Sequence, residues 1–225
     1  MKTITQNLQT LKSSLEDKPQ INIVVVTKTR SPEEIQEAIA AGATSIGENR
    51  VQEAEQKFPN IRIIDMADKR LIGRLQSNKV NKAIKIFDTI DSVDSLRLIK
   101  KISNHALKSN KTVPVLLEIN TSGETQKHGF LTSETDDMLS CFDEKSVRIC
   151  GLITVVPINK FISPSKNSFI ILSLSTCGIF PCINPILLLG NNLDNSLNLF
   201  VAVEISRVSD SSIKGQIQNA FKPLS

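Results

Sequence analysis

The chain has 225 residues, of which 40% are apolar and 22% charged, enough for one globular domain with a sizeable core. A formal net charge of +4, with no Trp and no Tyr, permits small anionic ligands and does not suggest nucleic-acid binding, which usually needs a clustered basic face with stacking aromatics. The opening stretch MKTITQNLQTLKSSLEDK has no apolar core segment, so no signal peptide is expected.

The first two thirds alternate strand and helix patterns. INIVVVTK (21–28) is a short β-branched run, and it ends in Lys28. Ser31, Pro32 and Glu34 then form a helix start, with Ser as N-cap, Pro at the first position and Glu closing a capping box. Ile35, Ala38 and Ile39 share one face, and Gly42 is a natural stop. TSIGEN (44–49) is a second strand, and RVQEAEQKF (50–58) a second helix with Val51, Ala54 and Phe58 inward.

Residues 61–73 hold a third strand, followed by the polar helical stretch 75–85. IFDTID (86–91) is a fourth strand, 95–110 a long amphipathic helix, and VPVLLEIN (113–120) a fifth strand. A helix over 133–142, with Ser133 and Asp136 as its capping box, leads to a sixth strand, VRICGLITVV (147–156). Six β units, joined mostly by helices, argue for a parallel sheet with right-handed crossovers. A closed (β/α)8 barrel and an open doubly wound sheet both satisfy that pattern.

After Val156 the composition changes. Residues 158–225 carry 8 charges in 68 positions, Ser and Asn supply 19 of them, and 167–193 has no charge at all. That uncharged stretch is long enough to raise a membrane span, but Pro181, Pro185, Asn184, Asn191 and Asn192 interrupt it, so none is expected. The apolar runs there, among them NPILLLG and LNLFVAVEIS, have no amphipathic helix between them. The reading is therefore a barrel portion over 1–157 and a distinct Ser/Asn-rich tail over 158–225. If the tail does not replace two strands, sheet edges stay open at the first and sixth strands.

In parallel α/β sheets, function gathers at the C-terminal strand ends. Lys28 sits at such an end. A partly desolvated lysine has a lowered pKa and can attack carbonyls, although a lysine snorkelling to solvent is the simpler reading on spacing alone. Gly47, Glu48 and Asn49, then Gly73, Gln76, Ser77 and Asn78, then Asn120, Ser122, Gly123, Glu124 and Lys127 occupy the ends of strands two, three and five. Together they would line a small-molecule pocket. Arg70, Arg74, Lys79, Lys82 and Lys85 read as a solvated helix face. Cys141, Cys150, Cys177 and Cys182 form no CxxC pair and read as buried or incidental thiols.

GENRVQE, LIGRLQSNK, EINTSGETQKHGF and RICGLITVVP, together with VVVTKTR, resemble the pyridoxal phosphate homeostasis protein family over about residues 15–157. The resemblance implies a TIM-barrel type fold of the alanine racemase N-terminal class. It implies pyridoxal 5'-phosphate (PLP) held as an imine on Lys28, with Asn49 near the cofactor ring. It also implies a non-catalytic cofactor carrier, cytoplasmic and monomeric, with a small-molecule partner and neither nucleic acid nor membrane.

Two departures stand out. Arg70 occupies a position where the family commonly has histidine. The family's last third, with its LSMGMS-x-D and RIG-x-x-IFG segments for the phosphate and the pyridine nitrogen, has no match between 158 and 225. LSLST (172–176) is only a passing likeness. Impaired cofactor retention follows, and a frameshift or rearrangement near 157 would explain the break. The rival readings are a PLP-dependent racemase and a degenerate product without ligand.

Overall fold

The computed structural model describes residues 3–16, 22–121, 123–124, 126–155, 184–189 and 200–204. It opens with a helix, α1 (Ile4–Ser14), whose Thr3 and Gln6 form a capping box. Sequence reasoning passed over this helix, although T-x-x-Q immediately before an apolar repeat is its signature. β1 (Asn22–Val26), α2 (Pro32–Ala40), β2 (Ser45–Glu48) and α3 (Val51–Lys57) follow in the anticipated order. The capping box of α2 is formed: the Glu34 amide donates to Ser31 Oγ at 3.3 Å, and the Ser31 amide to Glu34 Oε2 at 2.8 Å. Gly42 ends this unit with φ +94°, where a side chain would be strained.

The third strand is shorter than 61–73. Residues around 58–66 form two 3-10 turns, and β3 covers only Asp68–Leu71. A 3-10 turn (Ser77–Lys79) and α4 (Val80–Ile86) then lead to β4 (Thr89–Val93), α5 (Leu96–Lys108) and β5 (Val113–Asn120). A two-residue strand, β6 (Phe130–Leu131), precedes α6 (Thr135–Ser140) and β7 (Val147–Val155). The capping box expected at Ser133 and Asp136 is not formed. The N-cap of α6 is Glu134, whose carboxylate instead accepts from the Leu131 amide at 2.7 Å.

β1 to β5 and β7 form parallel pairs in the order β4-β3-β2-β1 and β4-β5-β7. The tail contributes β8 (Asn184–Leu189) and β9 (Phe200–Glu204). β8 lies parallel to β1, while β9 runs antiparallel to both β7 and β8. The sheet order β4-β3-β2-β1-β8-β9-β7-β5 therefore returns to β4, and the tail strands cover the edges that six strands alone would expose. The closed-barrel alternative is realised, with one reversed strand.

Strand alternation sorts the apolar residues into two layers. Ile46, Leu71, Ile90, Val115 and Leu117 pack with Ile35, Val80, Ile99 and Ile102 of the helices in the outer core. Val24, Ile72, Leu116, Cys150 and Ile153 form a smaller cluster inside the ring, joined by Val26. Cys141 and Cys150 are both buried. Among the described residues no helix is long and apolar enough to cross a membrane. Most of 167–193, and all of 172–176, lies outside the described residues.

Candidate functional site

Alternation that puts Val24 and Val26 inside the ring places Lys28 two residues further on, where β1 ends in a turn and the side chain is half-buried. On β2, a Cβ at Gly47 would stand 3.0 Å from Ile72 Cδ1 and 3.2 Å from Val24 Cγ1, so position 47 also faces the interior. Asn49 is two residues beyond it. The β1–β2 register pairs Val26 with Gly47, so Lys28 and Asn49 each follow a paired position by two residues at the C-terminal ends of neighbouring strands. Asn49 Oδ1 is buried and has no hydrogen-bond partner among the described residues. A buried acceptor without a partner is costly, and such a group at a strand end suits a donor brought by a ligand. Gly73, at the end of β3, is the close support: a Cβ there would lie 2.7 Å from Asn49 Cα.

Below the mouth lies a buried ion pair. Arg70 Nε donates to Asp91 Oδ2 at 2.8 Å and Nη2 to Oδ1 at 3.0 Å, with side chains 4% and 0% exposed. Arg70 therefore does not belong to a solvated helix face. Its strand parity is that of Ile72, an interior position, and the carboxylate that makes its burial tolerable comes from the neighbouring strand. Lys82 does match the solvated reading, pairing with Glu55 at 2.8 Å on the surface.

Glu48 also departs from the expected rim. It shares the parity of Ile46 and points outward, fully buried under α3, where its Oε1 accepts from Thr27 Oγ1 at 2.7 Å and pairs with Lys57 at 3.1 Å. Burial pushes its carboxyl up, against the opposing pull of Thr27 and Lys57. The turn carrying Lys28 is closed by the Arg30 amide donating to the Thr27 carbonyl at 3.0 Å, and Thr29 within it has φ +62°. A β-branched residue in this left-handed region costs about 1–2 kcal/mol.

The rim on the β5 side holds a second polar group. Glu118, Ile119, Asn120, Gln126, Lys127 and His128 line a cavity of about 220 Å³. Asn120 organises its wall, donating to the Glu124 and Lys127 carbonyls at 2.9 and 3.4 Å and accepting from the Gly123 amide at 3.0 Å. Lys127 pairs with Glu124 at 2.7 Å, and Arg74 bridges Asp94 at 3.3 Å and His128 at 3.0 Å. Gln76, Ser77 and Asn78 are exposed, and Ser122 lies outside the described residues. Burial, reinforced by the Asp94 charge and opposed by Arg74, pushes the Glu118 carboxyl up to about 7.

That shift has a sign. The unfolded chain releases the Glu118 proton near its usual 4.5, while the folded chain keeps it to about 7. Stability from this group is therefore complete below 4.5 and is lost as pH rises to 7, by at most about 3 kcal/mol. Urea unfolding at pH 5 and pH 8 should show that fall in the wild type and a smaller one in Glu118→Gln. Equal falls in both would remove Glu118 as the cause.

The model of the family described as "Alanine racemase, N-terminal domain" matches residues 1–160. A "Pyridoxal phosphate homeostasis protein" of Synechocystis sp. is 35% identical over 141 residues, covering 62% of this chain and 65% of the relative. The Mus musculus protein of the same name is 34% identical over 157 residues, covering 66% of this chain and 57% of the relative. This chain thus spans less than two thirds of the length of either. The solved structure of PipY from Synechococcus elongatus, with PLP bound, is 30% identical with a TM-score of 0.64, covering 69% of this chain and 72% of that one. Barrel order, strand-end motifs and these matches agree, and the chain belongs to the pyridoxal phosphate homeostasis group of the alanine racemase N-terminal domain family.

Proposed function

We propose that this chain binds PLP at the barrel mouth through Lys28, with Asn49 beside the ring, and that it carries the cofactor without turning over a substrate. What supports the reading is a half-buried amine and a buried amide oxygen without a partner among the described residues, each two positions past a paired residue at the ends of neighbouring strands. The residues at this end of the site fit the group. When bound, PLP supplies an aldehyde that takes an amine covalently. Lys28 supplies that amine from a half-buried position at the end of β1. Asn49 offers a fixed polar contact, and the interior cluster of Val24, Val26 and Ile72 excludes water from beneath it.

The phosphate end is where retention is expected to suffer. Phosphate sites in such barrels are built from loops and helix starts after strands seven and eight. Here β9 runs antiparallel to its neighbours, which puts its C-terminal end at the opposite rim. The missing LSMGMS-x-D and RIG-x-x-IFG segments point the same way. We take 1–157 as the cofactor-binding portion and 158–225 as a frameshifted or rearranged segment; the nucleotide sequence around codon 157, read in all frames, tests that division.

Titration with PLP should give a visible band in the wild type that is absent in Lys28→Met. An equal band in the variant would mean that the aldehyde reacts elsewhere, and no band in either would favour a degenerate product. Racemase activity needs a second acid or base on the far face of the cofactor, and an amino-acid racemisation assay separates that reading.

A further inference from the structure

Lys28 sits in a turn that a threonine should not favour. Thr29 adopts φ +62°, a conformation that persists only when its surroundings hold it. The surroundings are two side chains of one short helix. Glu53 Oε1 accepts from the Thr29 amide at 2.6 Å, and Lys57 Nζ donates to the Thr27 carbonyl at 2.9 Å. Both residues flanking Lys28 are thus bonded through their backbone to α3. Lys57 also pairs with Glu53, four residues before it, and with the buried Glu48 at 3.1 Å. Glu48 in turn takes the Thr27 hydroxyl.

We propose that Glu53 and Lys57 are positioning residues for Lys28, locking the Thr27–Arg30 turn so that the amine stays at the barrel mouth. The proposal rests on the reading of Lys28 as the cofactor lysine. Lysine reaches its target through a long flexible stem, so a small displacement of its anchoring turn moves the amine out of line, and reactions that depend on position are steeply sensitive to such displacements. The clamp keeps its charges in place: burial pushes the Glu53 carboxyl up, but the hydrogen bonds from Lys57 and the Thr29 amide, with the Lys57 and Arg50 charges, outweigh it and hold the group low. The simpler role for these two residues is a staple fastening α3 to the sheet, which would affect stability alone.

The test is reductive labelling of the full chain with pyridoxal and cyanoborohydride, with the rate at Lys28 read by peptide mapping against Lys101, which is half-buried like Lys28, in the same molecule. Thermal unfolding is followed in parallel. In the wild type Lys28 should label faster than Lys101. Glu53→Ala and Lys57→Met should lower the Lys28 rate by about tenfold or more while leaving Lys101 unchanged. Adding Thr29→Gly to Glu53→Ala should recover at least about threefold, because glycine takes the positive φ without a clamp. A staple would not restore the rate in this way. Should Ala or Met prevent folding, Glu53→Gln and Lys57→Gln, which keep most of the side-chain volume but remove the ion pair, should lower the Lys28 rate by about threefold or more with Lys101 unchanged, and wild-type rates in both would overturn the positioning role. Wild-type rates at Lys28 in folded Glu53→Ala and Lys57→Met would overturn the positioning role while leaving the Lys28 reading standing. Equal labelling of Lys28 and Lys101 in the wild type would instead overturn the Lys28 reading and the clamp's purpose with it.

Discussion

Asp91→Ala should destabilise the fold by about 3–5 kcal/mol, because it strips a buried guanidinium of its bidentate carboxylate. Arg70 is 4% exposed in its side chain and the pair sits inside the ring, so water cannot replace the lost partner without opening the barrel. The converse is as informative. A double replacement, Arg70→Met with Asp91→Leu, removes both charges together and should recover most of the loss, since a well-packed apolar pair of similar volume is often neutral or stabilising. Urea unfolding of the wild type, the single variant and the double variant checks this. A single variant within about 1 kcal/mol of the wild type would contradict the buried-pair assignment.

The second large effect concerns the phosphate. Pyridoxal and PLP present the same aldehyde to Lys28 and differ only in the phosphate. A preformed cup adds several charge-assisted hydrogen bonds of about 1.5–3 kcal/mol each, so a chain with a complete cup should prefer PLP by orders of magnitude. Here the preference should be below about tenfold, or about 1.4 kcal/mol. Exposed cations such as Arg74, 58% exposed in its side chain, could lend some affinity for an anion, but salt would screen it. Titrating both aldehydes at low and high salt, followed by visible absorbance, measures this. A large preference that survives high salt would show a real cup built by residues 158–225.

Much of the barrel was legible because its signals are local. Six strand units follow from short β-rich runs at regular spacing, and α2 follows from Ser31, Pro32, Glu34 and Gly42. The misreadings share a physical cause. Arg70 looked like one of a series of surface cations because its partner is 21 residues away on another strand, and a pairing of that kind leaves no trace in local spacing. Glu48 looked like a rim residue because β2 is buried at all four positions, so composition could not separate its two faces.

The same holds for the site. Lys28 and Asn49 were singled out by the motifs VVVTKTR and GENRVQE rather than by spacing, which left both as ordinary strand-end residues; β1 and β2, which precede them, are paired neighbours. Glu53 and Lys57 were not singled out from the sequence, where their i,i+4 spacing on a helix has a plain stabilising role. Their bonds to the Thr27 and Thr29 backbone are tertiary, and only the left-handed turn at Thr29 gives them a purpose. The Ser133 cap failed because α6 starts one residue later, with Glu134 at the N-cap, a boundary that S-x-x-D spacing does not fix.

The central claim is that PLP bonds to Lys28. Loading the protein with PLP, reducing with borohydride and mapping the peptides tests it most directly. The account predicts one dominant modified peptide, the one containing VVVTKTR, with the label on Lys28. Label spread over many surface lysines, or concentrated on Lys127 in the cavity beside Asn120, would contradict it.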